Sequence, residues 1–348
     1  VLLHGLRVGR GRASGRVRIL SSPKEGKQLV DGEVLVATMT SPDWVPTLRR
    51  AAALITDAGG STCHAAIVSR ELGLPGVVGT RVATTELATG DLVTVDAASG
   101  QILAGVVEPE HAAVASSPTS VAVAVGETTA TKLYVNLAVA ERAAEVSALP
   151  VDGVGLLRGE FMVTSALDGV HPRKLIADGE SARFVEAMSG ELSTIAGAFF
   201  PRPVVYRTMD FRTNEFRNLD GGDRYEPHEE NPMIGFRGCY RYIKDPETFA
   251  LELEALARTR DQFPNLHVMI PFVRTTWELE ACLEAIDASR LGRDRTLRMW
   301  VMAEVPSIVY RVPDYAALGI HGVSIGSNDL TQLVLGVDRD SETCADLF

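Results

Sequence analysis

The sequence predicts an α/β protein of two domains. A small β/α domain occupies residues 1–115, and a (β/α)8 TIM-type barrel cut before its last strand occupies 132–348. Three observations carry this expectation. At 348 residues the chain is long enough for two hydrophobic cores. From Lys132 onward, short apolar runs alternate with helical stretches at the spacing of βα units. Between the two regions, residues 116–131 are small, almost uncharged and aperiodic, which is the composition of a linker. Fully extended, such a linker spans up to ~50 Å at ~3.3 Å per residue.

In the first domain, glycine-broken sequence leads into a strand over Arg16–Leu20, and Glu33–Ala37 forms a second. A short helix over Asp43–Ala52 follows, with Ser41 as its cap ahead of Pro42. The buried-looking strand Ala53–Thr56 then feeds the stretch Asp57-Ala58-Gly59-Gly60-Ser61-Thr62-Cys63-His64. A helix is predicted from His64 to Leu72, stopped by Gly73 and Pro75, with Val68 and Leu72 on the face of His64. Further strands fall at Gly76–Gly79 and Leu92–Asp96. His64 therefore stands at a strand-to-helix junction, where unpaired N–H groups favour anions and an imidazole is nucleophilic near neutrality. Two readings follow from the residues alone: a phosphoryl carrier, or a histidine that only caps a helix behind a tight turn.

In the second domain, seven strands are predicted: 133–137, 153–157, 204–206, 233–236, 267–270, 299–303 and 322–325. Polar residues cluster where these strands end, namely Arg158 and Glu160, Arg207 and Asp210, Arg237, Glu304, then Asn328 and Asp329. A barrel gathers its strand ends onto one rim, so these residues are expected to meet. Three arginines with two or more carboxylates fit an anionic substrate and a divalent cation. Taken singly, Asp329 would equally cap the helix that follows it, and Arg158 would be solvent-exposed or pair with Glu160.

The net charge of −11, with no basic run, excludes a nucleic-acid footprint, and no apolar run reaches the length of a membrane span. Four scattered cysteines without a CxxC pair fit a reducing, cytoplasmic setting rather than a disulfide or zinc framework. Positive charge comes from 29 arginines against five lysines, a feature of composition or of phosphate recognition that only position can separate. The chain opens on Val1 and stops at Phe348 inside an apparent helix, so a piece of a longer protein is expected.

The stretch Gly59-Gly60-Ser61-Thr62-Cys63-His64-Ala65-Ala66 resembles the phosphohistidine motif of the phosphoenolpyruvate-utilising enzymes. Residues 230–238 (Glu-Asn-Pro-Met-Ile-Gly-Phe-Arg-Gly) and 324–332 (Ser-Ile-Gly-Ser-Asn-Asp-Leu-Thr-Gln) are similar to that family's barrel motifs. The resemblance covers nearly the whole chain. It implies a swivelling domain whose phosphohistidine is His64, supported by Gly60 and Thr62. It implies phosphoryl and substrate contacts at Arg158, Arg207, Arg237, Asn328 and Arg339, and Mg²⁺ held by Glu304 and Asp329. The implied reaction converts pyruvate, ATP and water to phosphoenolpyruvate, AMP and phosphate. Inorganic phosphate in place of water as acceptor is the alternative within the family, and an inactive phosphocarrier fragment the alternative outside it. ATP would bind a domain N-terminal to this chain, and the family's catalytic cysteine would lie on a strand beyond Phe348, so the fragment alone is expected to be inactive. A homodimer through the barrel is a further implication.

Overall fold

The structure, a computed structural model, describes residues 1–60, 63–107, 130–338, 344 and 347, without the side chains of Pro42 and Ser165. The chain divides into two compact units, Val1–Thr131 with Val337–Phe348, and Lys132–Gly336.

Among the described residues the first unit has eight strands: β1 (Leu3–His4), β2 (Leu6–Val8), β3 (Arg12–Ile19), β4 (Val34–Ala37), β5 (Ala53–Thr56), β6 (Gly76–Val78), β7 (Leu92–Asp96) and β8 (Gln101–Ala104). They form one sheet in the order β1-β8-β7-β3-β4-β5-β6-β2. Strand β3 joins its two halves. Arg12–Arg16 pairs antiparallel with β7, and Val17–Ile19 pairs parallel with β4. Strands β4 and β5 are wholly buried and, apart from Thr56, apolar, as suits parallel strands covered on both faces. The core comprises Val17, Val34, Val36, Ile55, Val77, Val93 and Val95 among others.

The helix expected over Asp43–Ala52 is shorter than its pattern, a 3₁₀ turn Pro42–Trp44 running into Val45–Leu48. Its would-be last turn is drawn towards the sheet instead: the Arg50 carbonyl accepts from Gly32 N–H, and Ala52 N–H donates to the Glu33 carbonyl. The helix that follows β5 runs His64–Leu72, with Gly73 in the left-handed region at its C-terminus.

The second unit is a curled, all-parallel sheet of β9 (Tyr134–Leu137), β10 (Gly153–Arg158), β11 (Val204–Arg207), β12 (Leu266–Ile270), β13 (Met299–Ala303) and β14 (Gly322–Ile325), in sequence order. Alternate side chains go to opposite faces. Val204, Tyr206, Val268, Ile270 and Val301 join the core made with the helices, while Val205, Met269 and Met302 cluster with Leu156 and Trp300. The long helices Ser181–Phe199 and Pro246–Arg260 pack on each other over the outer face.

One expected strand is absent. Residues 233–236 belong to a 3₁₀ turn (Pro232–Ile234) and the loop after it, and β11 pairs directly with β12. Side chains consume the backbone groups a ladder would need. Phe236 N–H donates to Glu229, and Arg274 donates to the carbonyls of Ile234 and Gly235. The sheet thus has six strands among the described residues, not seven. No described helix is long and apolar enough to cross a membrane.

Candidate functional site

The carboxylates of Asp210, Glu304 and Asp329 converge at the C-terminal ends of the barrel strands, with oxygens within 4.8 Å of one another. Asp210 follows β11, Glu304 follows β13, and Asp329 sits in the first turn of the helix Ser327–Leu335 after β14. All three are buried, where unpaired carboxylates are costly. Arg237 lies against two of them. Its Nε and Nη2 donate to Asp210 at 3.0 and 2.6 Å, and Nη2 reaches Asp329 at 3.3 Å. Despite burial, the charges of Asp210 and Asp329 hold the Arg237 guanidinium firmly protonated.

Arg207, the last residue of β11, donates to Glu160 Oε1 at 2.9 Å, and the Asp210 N–H donates to the same oxygen at 2.7 Å. Glu304 Oε1 accepts from Phe272 N–H at 2.6 Å. That amide is aimed by an uncommon backbone, since Phe272 has φ +50°, and the Phe272 ring carries the Arg237 guanidinium at 4.0 Å. Burial, reinforced by the charges of Asp210 and Asp329, pushes the Glu304 carboxyl up to about 8. Gly326 makes room for this group, because a Cβ there would stand 2.8 Å from the Glu304 Cβ.

Hard oxygen donors clustered this closely fit a divalent cation such as Mg²⁺, and the cost of leaving like charges together is the physical argument for one. Behind them, Glu252 of the helix Pro246–Arg260 accepts from Tyr206 Oη at 2.7 Å and from Met209 N–H at 2.9 Å. Burial pushes its carboxyl up to about 8, against the pull of those two hydrogen bonds.

Of the residues expected at this rim, Arg158 ends β10 in register with Arg207, and Asn328 is half-buried in the first turn of its helix. Glu160 pairs with Arg207. Arg339 and Thr62 lie outside the described residues. Sequence reasoning placed Asp210 at the rim without assigning it to the cation, although its position just past a strand end matches that of Glu304. It missed Glu252 and Phe272.

In the first unit, His64 opens its helix behind Cys63, and its Nδ1 lies 3.5 Å from Thr40 Oγ1. The turn ahead of it needs glycine. Gly59 has φ +116°, and a Cβ there would meet Cys63 Sγ at 2.7 Å. Asp57 pins the start of the turn, accepting from the Thr84 N–H at 3.0 Å and from the Thr84 hydroxyl. Gly60 contributes its carbonyl, which accepts from Cys63 N–H at 3.2 Å. The arrangement offers a nucleophile at a helix N-terminus, the ordinary setting for an anion.

A curled parallel α/β sheet with buried acidic and arginine side chains at its strand ends, in one chain with a small β/α unit bearing a histidine at a helix start, defines a two-unit α/β protein. The chain belongs to the phosphoenolpyruvate-utilising enzymes: the PEP-binding domain of that family matches residues 112–348, and its mobile domain matches residues 29–100. The phosphoenolpyruvate synthase of Aeropyrum pernix is 46% identical over 98% of this chain and 43% of its own length. A probable phosphoenolpyruvate synthase of Staphylothermus marinus is 45% identical over 100% of this chain and 43% of its own. The phosphoenolpyruvate synthase of Deinococcus radiodurans is 42% identical over 100% and 47%. The chain spans less than half the length of these relatives.

Proposed function

We propose that these residues form the phosphohistidine and pyruvate-binding parts of a phosphoenolpyruvate synthase, which converts pyruvate, ATP and water to phosphoenolpyruvate, AMP and phosphate. His64 is the nucleophile that carries the phosphoryl group. The barrel rim is where that group leaves the histidine nitrogen for the enolate oxygen of pyruvate. The observation that carries this reading is the acidic triad Asp210, Glu304 and Asp329 with Arg237 laid against it. Those three carboxylates would hold Mg²⁺, which when bound supplies charge neutralisation at the phosphoryl and enolate oxygens.

The chain's own residues do the positioning. Arg207, gripped by Glu160, and Arg237, gripped by Asp210, are oriented cations beside the place where negative charge develops. Burial and the charges of Asp210 and Asp329 favour the protonated form of Glu304, and a cation bound there would favour the ionised one. ATP would be used by a further part of the protein, as the length of the relatives supports.

The test is exchange of labelled pyruvate into phosphoenolpyruvate by the full-length protein without ATP, a half-reaction that needs the carrier and the barrel. Exchange is expected with Mg²⁺ and should fall by more than about tenfold in Glu304→Gln. Wild-type exchange rates in that variant would remove Glu304 from the site.

A further inference from the structure

Met209 and Asp210 leave the end of β11, and beyond Thr208 their amides are taken by side chains. Two buried carboxylates from separate helices hold these amides. Met209 N–H donates to Glu252 Oε1 at 2.9 Å, and Asp210 N–H donates to Glu160 Oε1 at 2.7 Å. The Met209 carbonyl is held as well, by the Tyr242 hydroxyl, which is also 2.8 Å from Thr208 Oγ1. Glu252 is itself fixed from β11 by Tyr206 Oη at 2.7 Å, and its carboxylate group is wholly buried.

From this clamp we infer that Glu252 is a positioning residue for the cation site: it fixes the Thr208–Met209 peptide, next to the Met209–Asp210 peptide that Tyr242 and Glu160 hold, so that the Asp210 carboxylate faces Glu304 and Asp329. Glu252 touches none of the three carboxylates; it acts through the backbone of Met209. A glutamate that merely satisfied an orphan amide would contribute to folding alone. Here the amide it holds is one peptide from a metal-facing side chain; outer-shell hydrogen bonds made to the ligands themselves are worth about 10–100-fold in metal affinity, and one acting a peptide away is expected at the low end of that range. The inference rests on the proposed cation site at Asp210, Glu304 and Asp329.

The experiment is Mn²⁺ binding to the full chain, read by the electron paramagnetic resonance of free Mn²⁺, with thermal unfolding recorded alongside. Glu252→Gln keeps an acceptor oxygen and should bind within about twofold of wild type. Glu252→Met, similar in volume but with no acceptor, should bind about tenfold or more weakly. Wild-type affinity in a folded Glu252→Met chain, whatever its melting temperature, overturns the inference, as does an equal loss in Glu252→Gln. If Glu252→Met does not fold, Tyr206→Phe decides. It removes the donor that orients Glu252, and at least threefold weaker binding upholds the inference whereas unchanged binding overturns it. A wild-type chain that binds no Mn²⁺ overturns the cation site, and this inference with it, while tight wild-type binding with indifferent variants overturns only the role of Glu252.

Discussion

Glu252 and Glu304 are both buried carboxyls raised to about 8, but they answer to different neighbours. Glu304 shares its site with two other carboxylates, whose charge a bound cation would relieve. Glu252 has hydrogen-bond donors from Tyr206 and Met209 and no cation to expect. Its folded value lies above the usual 4.5, so the folded state binds a proton that the unfolded state releases. The resulting stability is present in full below the unfolded value and is lost as pH rises through about 8. Glutamine cannot titrate. The melting temperature of Glu252→Gln relative to wild type should therefore climb from about pH 5 to about pH 8 and level off above it. A gap that stays constant over that range would contradict the burial argument.

At the scale of elements, the segment between β5 and the His64 helix depends on glycine at position 59. Gly59→Ala would force a side chain into a φ of +116° and against Cys63 Sγ. It should cost about 1–3 kcal/mol, read as a lowered melting temperature, and should displace His64. An unchanged melting temperature would show that the turn tolerates a Cβ. Strands β5, β7, β13 and β14 were legible because their apolar runs are bounded by turn or polar residues. β1, β2 and β8 were not, being short segments at or near the sheet edges. Residues 233–236 carry apolar side chains like a strand, yet Glu229 and Arg274 take their backbone groups, a competition no periodicity reveals. Glu304 and Asp329 were readable from their places after strand ends. Glu252 was not, because it stands in a helix rich in Glu and Arg that reads as solvated, and only packing shows its burial.

Across the whole molecule, arginine–carboxylate pairs fall in two settings. Arg12, Arg18, Arg173 and Arg260 pair with acidic partners that tie elements together away from the rim. Arg207 and Arg237 do so at the strand ends beside the acidic triad. His64 and the acidic triad belong to different compact units, so on the proposed reading each supplies half of one phosphoryl transfer. The direct test is to incubate the full-length protein with ³²P-phosphoenolpyruvate and Mg²⁺ and to map the labelled peptide. Acid-labile label on His64, absent from His64→Ala, is the predicted result. Label retained in His64→Ala, or none in the wild type, would contradict the account.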